Sequence, residues 1–245
     1  MTNLSVNVNK IALLRNSRLN GVPNLVDFVM MCIEAGVDGV TVHPREDARH
    51  IMLEDLKDIS DVVYAASYDV EFNIEGDPRE DLLNYVQQHV PCHQFTLVPV
   101  TKGELTSTRG WCSKDNLAQV TAVVQRLKAE FNLKRVSMFA DATEDSVMFC
   151  KQAGADAVEF YTGDYALCLD ERDAILGTLV DAAQMSRDVG MRIHAGHDLD
   201  LNNLPQLLRA IQPDELSIGH ALVSDALVYG FRDTLKKYMA VIKGY

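Results

Sequence analysis

The sequence has no apolar run of membrane-spanning length, no C-x-x-C pair and no Pro-, Gly- or Ser-rich linker. The first absence argues against a transmembrane helix. Met1–Asn9 has neither a basic start nor a long apolar stretch and does not read as a signal peptide. The five cysteines (Cys32, Cys92, Cys112, Cys150, Cys168) are scattered, which reads as reduced thiols in a cytoplasmic protein. Positive charge is also scarce. Lys+Arg 23 against Asp+Glu 35 gives −12, which disfavours a broad nucleic-acid or anionic-membrane surface. It leaves room for a local phosphate pocket, since a few arginines and backbone N–H groups suffice there. What is present is a chain of 245 residues, 47% hydrophobic and 24% charged, with the charge interspersed throughout. That is enough for one substantial core, and the lack of a linker predicts a single domain over 1–245.

Short apolar runs alternate with longer helical patterns from end to end. Strands are expected at Leu4–Asn9, Gly39–His43, Val70–Glu75, Gln94–Pro99, Arg135–Asp141, Ala157–Tyr161, Arg192–Ala195 and Glu215–Ile218. The clearest helical stretches are Leu25–Ala35, Arg79–Val90, Asn116–Asn132, Glu144–Ala153, Ala174–Val189 and Ala221–Ile242. Eight strands separated by helices predict a parallel sheet, and eight strands close a (β/α)8 TIM barrel, an α/β fold. A faint internal echo, Ala35-Gly36-Val37-Asp38-Gly39-Val40 and Ala153-Gly154-Ala155-Asp156-Ala157-Val158, places a glycine where each helix turns into a strand. Gly190 suits the same role.

Several strands are not continuously apolar, as fully buried parallel strands usually are. Val6 and Val8 alternate with Asn7 and Asn9, Val40 and Val42 with Thr41 and His43, Phe72 and Ile74 with Asn73 and Glu75, and Val158 and Phe160 with Glu159 and Tyr161. Side chains change face at every residue, so each polar set shares one side. In a barrel that side is the lumen, and its carboxyl end is where barrel enzymes do chemistry. An antiparallel sheet with one wet face is the alternative, which the intervening helices disfavour.

His43 opens the loop His43-Pro44-Arg45-Glu46-Asp47, with Arg49 and His50 close behind. A histidine at a strand's end can transfer protons near neutral pH, and an arginine can clamp a phosphate. A solvated charged loop is the better account of Glu46, Asp47 and Arg49, but explains His43 less well, because that residue ends a strand on the polar parity. Glu75 reads as a desolvated base or as half of a structural salt bridge. In His194-Ala195-Gly196-His197, opposite parity and the expected bend at Gly196 argue against shared metal coordination, and Pro91 spoils the helical spacing of His89 and His93. No metal is expected. Ser217-Ile218-Gly219-His220-Ala221 carries the last strand into a helix whose first N–H groups could hold an anion.

The ordered set Val6-Asn7-Val8-Asn9, Leu14-Arg15-Asn16-Ser17-Arg18, Thr41-Val42-His43-Pro44-Arg45-Glu46-Asp47, Asn73-Ile74-Glu75, Leu97-Val98-Pro99, Ala195-Gly196-His197 and Ile218-Gly219-His220-Ala221 resembles the pyridoxine 5′-phosphate synthase family. The resemblance spans about Leu4 to Leu235. It implies a TIM barrel with additional helices, assembled as a homo-octamer, without metal or organic cofactor. It also implies vitamin B6 chemistry: condensation of 3-amino-2-oxopropyl phosphate with 1-deoxy-D-xylulose 5-phosphate to pyridoxine 5′-phosphate, phosphate and water. By position, His43 and Glu75 would accept protons and His197 would donate one. Asn7 and Arg18 would hold the amino-ketone phosphate, Arg18 reaching in from a neighbouring subunit. Arg45, His50 and Thr106 would bind the deoxyxylulose phosphate, while Asp198, Gly219 and His220 would contact the amino-ketone phosphate or the product. Glu159 could support proton relay, and Val100–Ser113, with Lys102, Gly103 and Gly110, is the candidate lid.

The chain departs from the family's pattern at a few positions. Asn9-Lys10 stands where many members have Asp-His, which leaves the substrate contacts of these two positions open. Val100 replaces a common glutamate, Tyr161 a common histidine and Asp198 a frequent glycine. The competing readings are a non-catalytic phosphosugar-binding relative and another cofactor-free barrel enzyme acting on a phosphorylated ketose.

Overall fold

The computed structural model describes residues 1–18, 20–100 and 107–244. Eight strands, β1 (Asn3–Asn7), β2 (Gly39–Val42), β3 (Glu71–Gly76), β4 (Gln94–Leu97), β5 (Arg135–Ala140), β6 (Ala157–Tyr161), β7 (Arg192–Gly196) and β8 (Glu215–Ile218), pair in chain order. Every pairing is parallel, and β8 returns to β1, so the barrel is closed and has no sheet edge. This is the expected TIM barrel. Around it run α1 (Asn9–Asn16), α2 (Leu25–Ala35), α3 (Leu53–Ala65), α4 (Glu80–His89), α5 (Leu117–Glu130), α6 (Glu144–Ala153), α7 (Gly163–Leu167), α8 (Arg172–Asp188), α9 (Leu204–Ile211), α10 (His220–Tyr229) and α11 (Phe231–Lys243). None of the described helices is long and apolar enough to cross a membrane.

The outward parity of the strands is apolar and packs under the helices. Val6, Val40, Phe72, Phe95, Val136, Val158 and Leu216 are all fully buried there. At about 1.5–3 kcal/mol per large apolar side chain, this shell supplies the main drive for closure. The inward parity is polar, as expected from the alternation. Bonds between strands that are not neighbours run across the lumen. At its floor Arg135 on β5 pairs with Glu71 on β3 and with Glu215 on β8 (3.2 Å), and Gln94 on β4 bonds Glu215 at 3.1 Å. Above them Ser5 and Thr41 hydroxyls meet at 2.6 Å, and Asn73 links Thr41 to Thr96.

The structure differs from the expected elements in three places, two of which have an evident local cause. β1 ends at Asn7 rather than Asn9, because the Asn7 side chain accepts the Asn9 N–H (3.0 Å) and turns the chain straight into α1. The single helix expected over Ala221–Ile242 is two, since Gly230 adopts φ 79°, ψ 148° and cannot continue a helix. The short helices α1, α7 and α9 and the longer α3 lie outside the stretches picked out by periodicity. Helix α2 ends on Gly36 (φ 82°) and α6 on Gly154 (φ 92°), as the repeated turn motif predicts.

Candidate active site

The carboxyl ends of the strands surround a cavity of about 280 Å³. Asn7, His43, Glu75, Glu159, His197 and Ser217 line its floor and walls, and Asn9, Lys10, Arg45, His50, Asp198, Gly219 and His220 line its upper part. Thus twelve of the fourteen residues singled out by sequence meet in one place. Arg18 does not; it is exposed beyond the end of α1. Thr106 lies outside the described residues, as do Lys102 and Gly103 of the candidate lid. The latter part of that segment is tied down: Gly110 N–H donates to Asp141, and Trp111 is buried with its indole N–H on the Leu97 carbonyl (2.9 Å).

His43 follows β2, and Glu75 is the last side chain of β3. Neighbouring strands therefore bring His43 Nδ1 to 3.5 Å from Glu75 Oε2. The other carboxylate oxygen accepts from the Ser217 hydroxyl at 3.3 Å across the lumen. His43 Nε2 is buried and has no hydrogen-bond partner among the described residues, although it belongs to a cavity-lining ring. Asn9 fixes the start of this loop by accepting the His43 backbone N–H at 2.9 Å.

The second imidazole stands opposite. His197 leaves β7 with φ 84° and Asp198 follows with φ 54°, a left-handed pair that ordinary residues avoid. Its ring is flanked by Phe139 (5.3 Å between centroids) and Tyr161 (5.1 Å). Burial lowers the His197 pKa, with Glu75 and Asp198 opposing the shift, so the ring is neutral at neutral pH. Once protonated, such a ring is a stronger acid than an exposed histidine. Glu159 is shifted the other way: burial, then the nearby Glu75 and Glu215 charges, push its carboxyl well above the usual range. The shift favours the protonated form of this carboxyl, which as an acid could donate a hydrogen bond.

Groups suited to anions ring the mouth. His50 accepts the Ile51 N–H on Nδ1 (2.9 Å), which leaves Nε2 carrying the proton. Its pKa is depressed to about 3, by burial first and then by His43, Arg45, Lys10 and Arg49, so it acts as a neutral donor beside the cations Lys10 and Arg45. Across the mouth α10 begins at His220 without a side-chain cap, so its first N–H groups and the positive end of its dipole serve the cavity. A Cβ on Gly219 would lie 3.0 Å from Asn7 Cβ and 3.1 Å from Asn7 O, so a side chain here would press on β1 and need it to give by a few tenths of an ångström.

Four further residues line the cavity: Phe139, which sequence reasoning did not single out; Val98 and Ser217, which it quoted in motifs without a role of their own; and Ser107, which falls within the candidate lid. Phe139 and Ser217 sit on the lumenal parity of β5 and β8, and Val98 continues that of β4 just past its end, a signal available from the alternation alone. Among the described residues no group of three or more His, Cys, Asp or Glu side chains is arranged to hold a metal ion. His93 turns its Nδ1 to the Phe72 N–H instead, and His194 lies in the barrel interior beside Glu215, away from His197.

A closed parallel barrel with titratable and anion-binding side chains gathered at its carboxyl mouth is the layout of a (β/α)8-barrel enzyme. Comparison with known proteins narrows this class. The chain belongs to the family described as pyridoxal phosphate biosynthesis protein PdxJ, whose model matches residues 4–244. It is 42% identical over 242 residues to the pyridoxine 5′-phosphate synthase of Bacteroides thetaiotaomicron, covering 97% of this chain and 98% of that one. With the pyridoxine 5′-phosphate synthase of Cytophaga hutchinsonii it shares 40% over 245 residues, 99% of this chain and all of that one. Among solved structures, phosphoribosyl anthranilate isomerase from Thermococcus kodakaraensis superposes with a TM-score of 0.64 over both full chains at 13% identity, a likeness of fold.

Proposed function

We propose that this chain is a pyridoxine 5′-phosphate synthase, a transferase-class enzyme of vitamin B6 biosynthesis. It condenses 3-amino-2-oxopropyl phosphate with 1-deoxy-D-xylulose 5-phosphate, closes the pyridine ring, and releases phosphate and water by acid–base chemistry without a metal. The observation that carries this reading is the convergence of His43, Glu75 and His197 on one cavity that has anion-binding groups on two sides.

The chemistry needs repeated proton transfers on bound intermediates: amine must add to ketone, water and phosphate must leave, and the ring must aromatise. Glu75 and His43 are the proton acceptors, linked so that a proton taken by one can be shared with the other. His197 is neutral at rest; it takes a proton released in an earlier step and returns it to a leaving oxygen. Protonated Glu159 serves as the relay beneath them. Arg45 and His50, with Thr106, hold the deoxyxylulose phosphate. Asn7, Asp198, Gly219 and His220 hold the amino ketone or product, and Asn9 and Lys10 add polar contacts at the same wall. Holding both substrates makes the condensation effectively intramolecular, worth up to about 7–11 kcal/mol in favourable cases. Arg18, exposed on its own subunit, completes a neighbour's site in a homo-octamer, and the scattered thiols suit the cytoplasm.

The direct test supplies both phosphorylated substrates to purified protein in the presence of a chelator and follows pyridoxine 5′-phosphate and inorganic phosphate. Equal release of the two supports the assignment. Binding without turnover, under conditions where the Bacteroides thetaiotaomicron relative is active, overturns it.

A further inference from the structure

We propose that Thr162 and Tyr165, at the start of the inserted helix α7, are positioning residues that hold His197 in its working orientation. The inference deepens the function proposed above and rests on that reading for its kinetic arm.

The starting point is the left-handed pair His197 and Asp198. Neither is a glycine, so the turn carries a steric penalty that the surroundings must offset. The structure shows what offsets it. Thr162, immediately after β6, is fully buried, and its hydroxyl lies 2.6 Å from the Gly196 carbonyl and 2.7 Å from the His197 carbonyl. One hydroxyl proton is shared between two acceptors on either side of the turn. The Thr162 backbone N–H also reaches the Gly196 carbonyl, at 2.9 Å. The Asp198 carbonyl is taken by the Asn203 side-chain amide at 3.0 Å, and Asn203 in turn has its own carbonyl held by the Tyr165 hydroxyl at 2.7 Å. Tyr165 is fully buried, with Arg172 over its ring.

Thr162 and Tyr165 are three residues apart across the first turn of α7, so one short helix presents two hydroxyls to the loop after β7. This gives the extra helix a function. It fixes the backbone on both sides of His197, while Phe139 and Tyr161 confine the ring. Neither hydroxyl-bearing residue lines the cavity, so each acts through His197 rather than on substrate.

Thr162→Val keeps the shape and removes the hydroxyl; Thr162→Ser keeps the hydroxyl. In Thr162→Val we expect kcat to fall roughly tenfold to a hundredfold, the scale of a misplaced reacting group, with KM for both substrates changed less than about twofold. Thr162→Ser should recover most of the loss. In isotope-labelled protein without substrates, the His197 ring resonances should shift or broaden in Thr162→Val and not in Thr162→Ser, with His93 unmoved as an internal control. That arm needs no turnover, so it judges the positioning role even if the wild-type protein proves inactive. A Thr162→Val protein with a lowered melting temperature but unchanged kcat and His197 resonances overturns the proposal. Should Thr162→Val fail to fold, Tyr165→Phe must show the same His197 shift, and an unchanged ring there is equally fatal.

Discussion

His43 Nδ1 lies 3.5 Å from Glu75 Oε2, a contact made by residues 32 positions apart at the ends of adjacent strands. The barrel walls keep both side chains largely from water, and Ser217 holds the second carboxylate oxygen from the far side of the lumen. A carboxylate so placed orients the imidazole and stabilises it when charged, leaving Nε2 to face the reacting molecule. In the function proposed above, the pair would work as one proton-accepting unit.

Glu75→Gln tests that unit. The amide has nearly the same volume and can keep the bond to Ser217, but it can neither accept a proton nor balance a charged His43. Steady-state assays should show kcat reduced by roughly 10²–10⁴, the usual worth of a general base, with the unfolding midpoint close to wild type. An active Glu75→Gln enzyme would remove the carboxylate from the mechanism.

Gly219→Ala tests the anion site at α10. The added methyl would meet the Asn7 side chain and carbonyl at 3.0 and 3.1 Å, which requires a few tenths of an ångström of adjustment where α10 meets β1. The expected outcome is a rise of roughly tenfold in KM for a phosphorylated substrate, as an interaction made in both ground and transition state is lost, with a smaller change in kcat. Thermal stabilisation by inorganic phosphate should shrink in parallel. Unaltered phosphate binding would mean that the first turn of α10 is not part of the site.

His194 tests the barrel interior. It is buried, neither ring nitrogen has a hydrogen-bond partner among the described residues, and burial first, then Arg135 and Arg192, depress its pKa from 6.5 to about 3. Between those values the unfolded chain binds a proton that the folded chain refuses. The stability this residue permits is thus fully present above pH 6.5 and is lost as the pH falls toward 3. Glu159 and Glu215, with raised pKa values, act oppositely and lose their contribution as the pH rises, so the wild-type curve alone is a mixture. Subtracting the curve of His194→Phe, which keeps a ring and deletes both nitrogens, isolates the histidine. Denaturant unfolding at several pH values should show the variant losing less stability on acidification, the difference approaching one proton, about 1.4 kcal/mol per pH unit. Parallel curves would show that His194 is protonated in the folded state.

The sequence by itself determined the architecture and the face on which chemistry occurs. Eight apolar runs separated by helices dictate a parallel barrel, and a period of two in Val40-Thr41-Val42-His43 or Phe72-Asn73-Ile74-Glu75 sorts each strand into a helix-covered side and a lumenal side. Those are local properties of covalent geometry, so no knowledge of distant contacts was needed to place His43, Glu75 and Glu159 on the inward parity. Tertiary structure alone decided what each of them meets. The sequence left Glu75 as a base or as half of a salt bridge; the fold sets it 3.5 Å from His43 Nδ1 and 3.3 Å from the hydroxyl of Ser217, 142 residues away. The lowered pKa values of His50 and His197 and the raised one of Glu159 follow chiefly from burial, a sum over many chain segments that no local pattern contains. The same holds for the hydroxyls of Thr162 and Tyr165, which look like ordinary residues of a short loop. Their targets lie across the gap between β6 and β7, and only closure of the barrel brings that gap to hydrogen-bonding width.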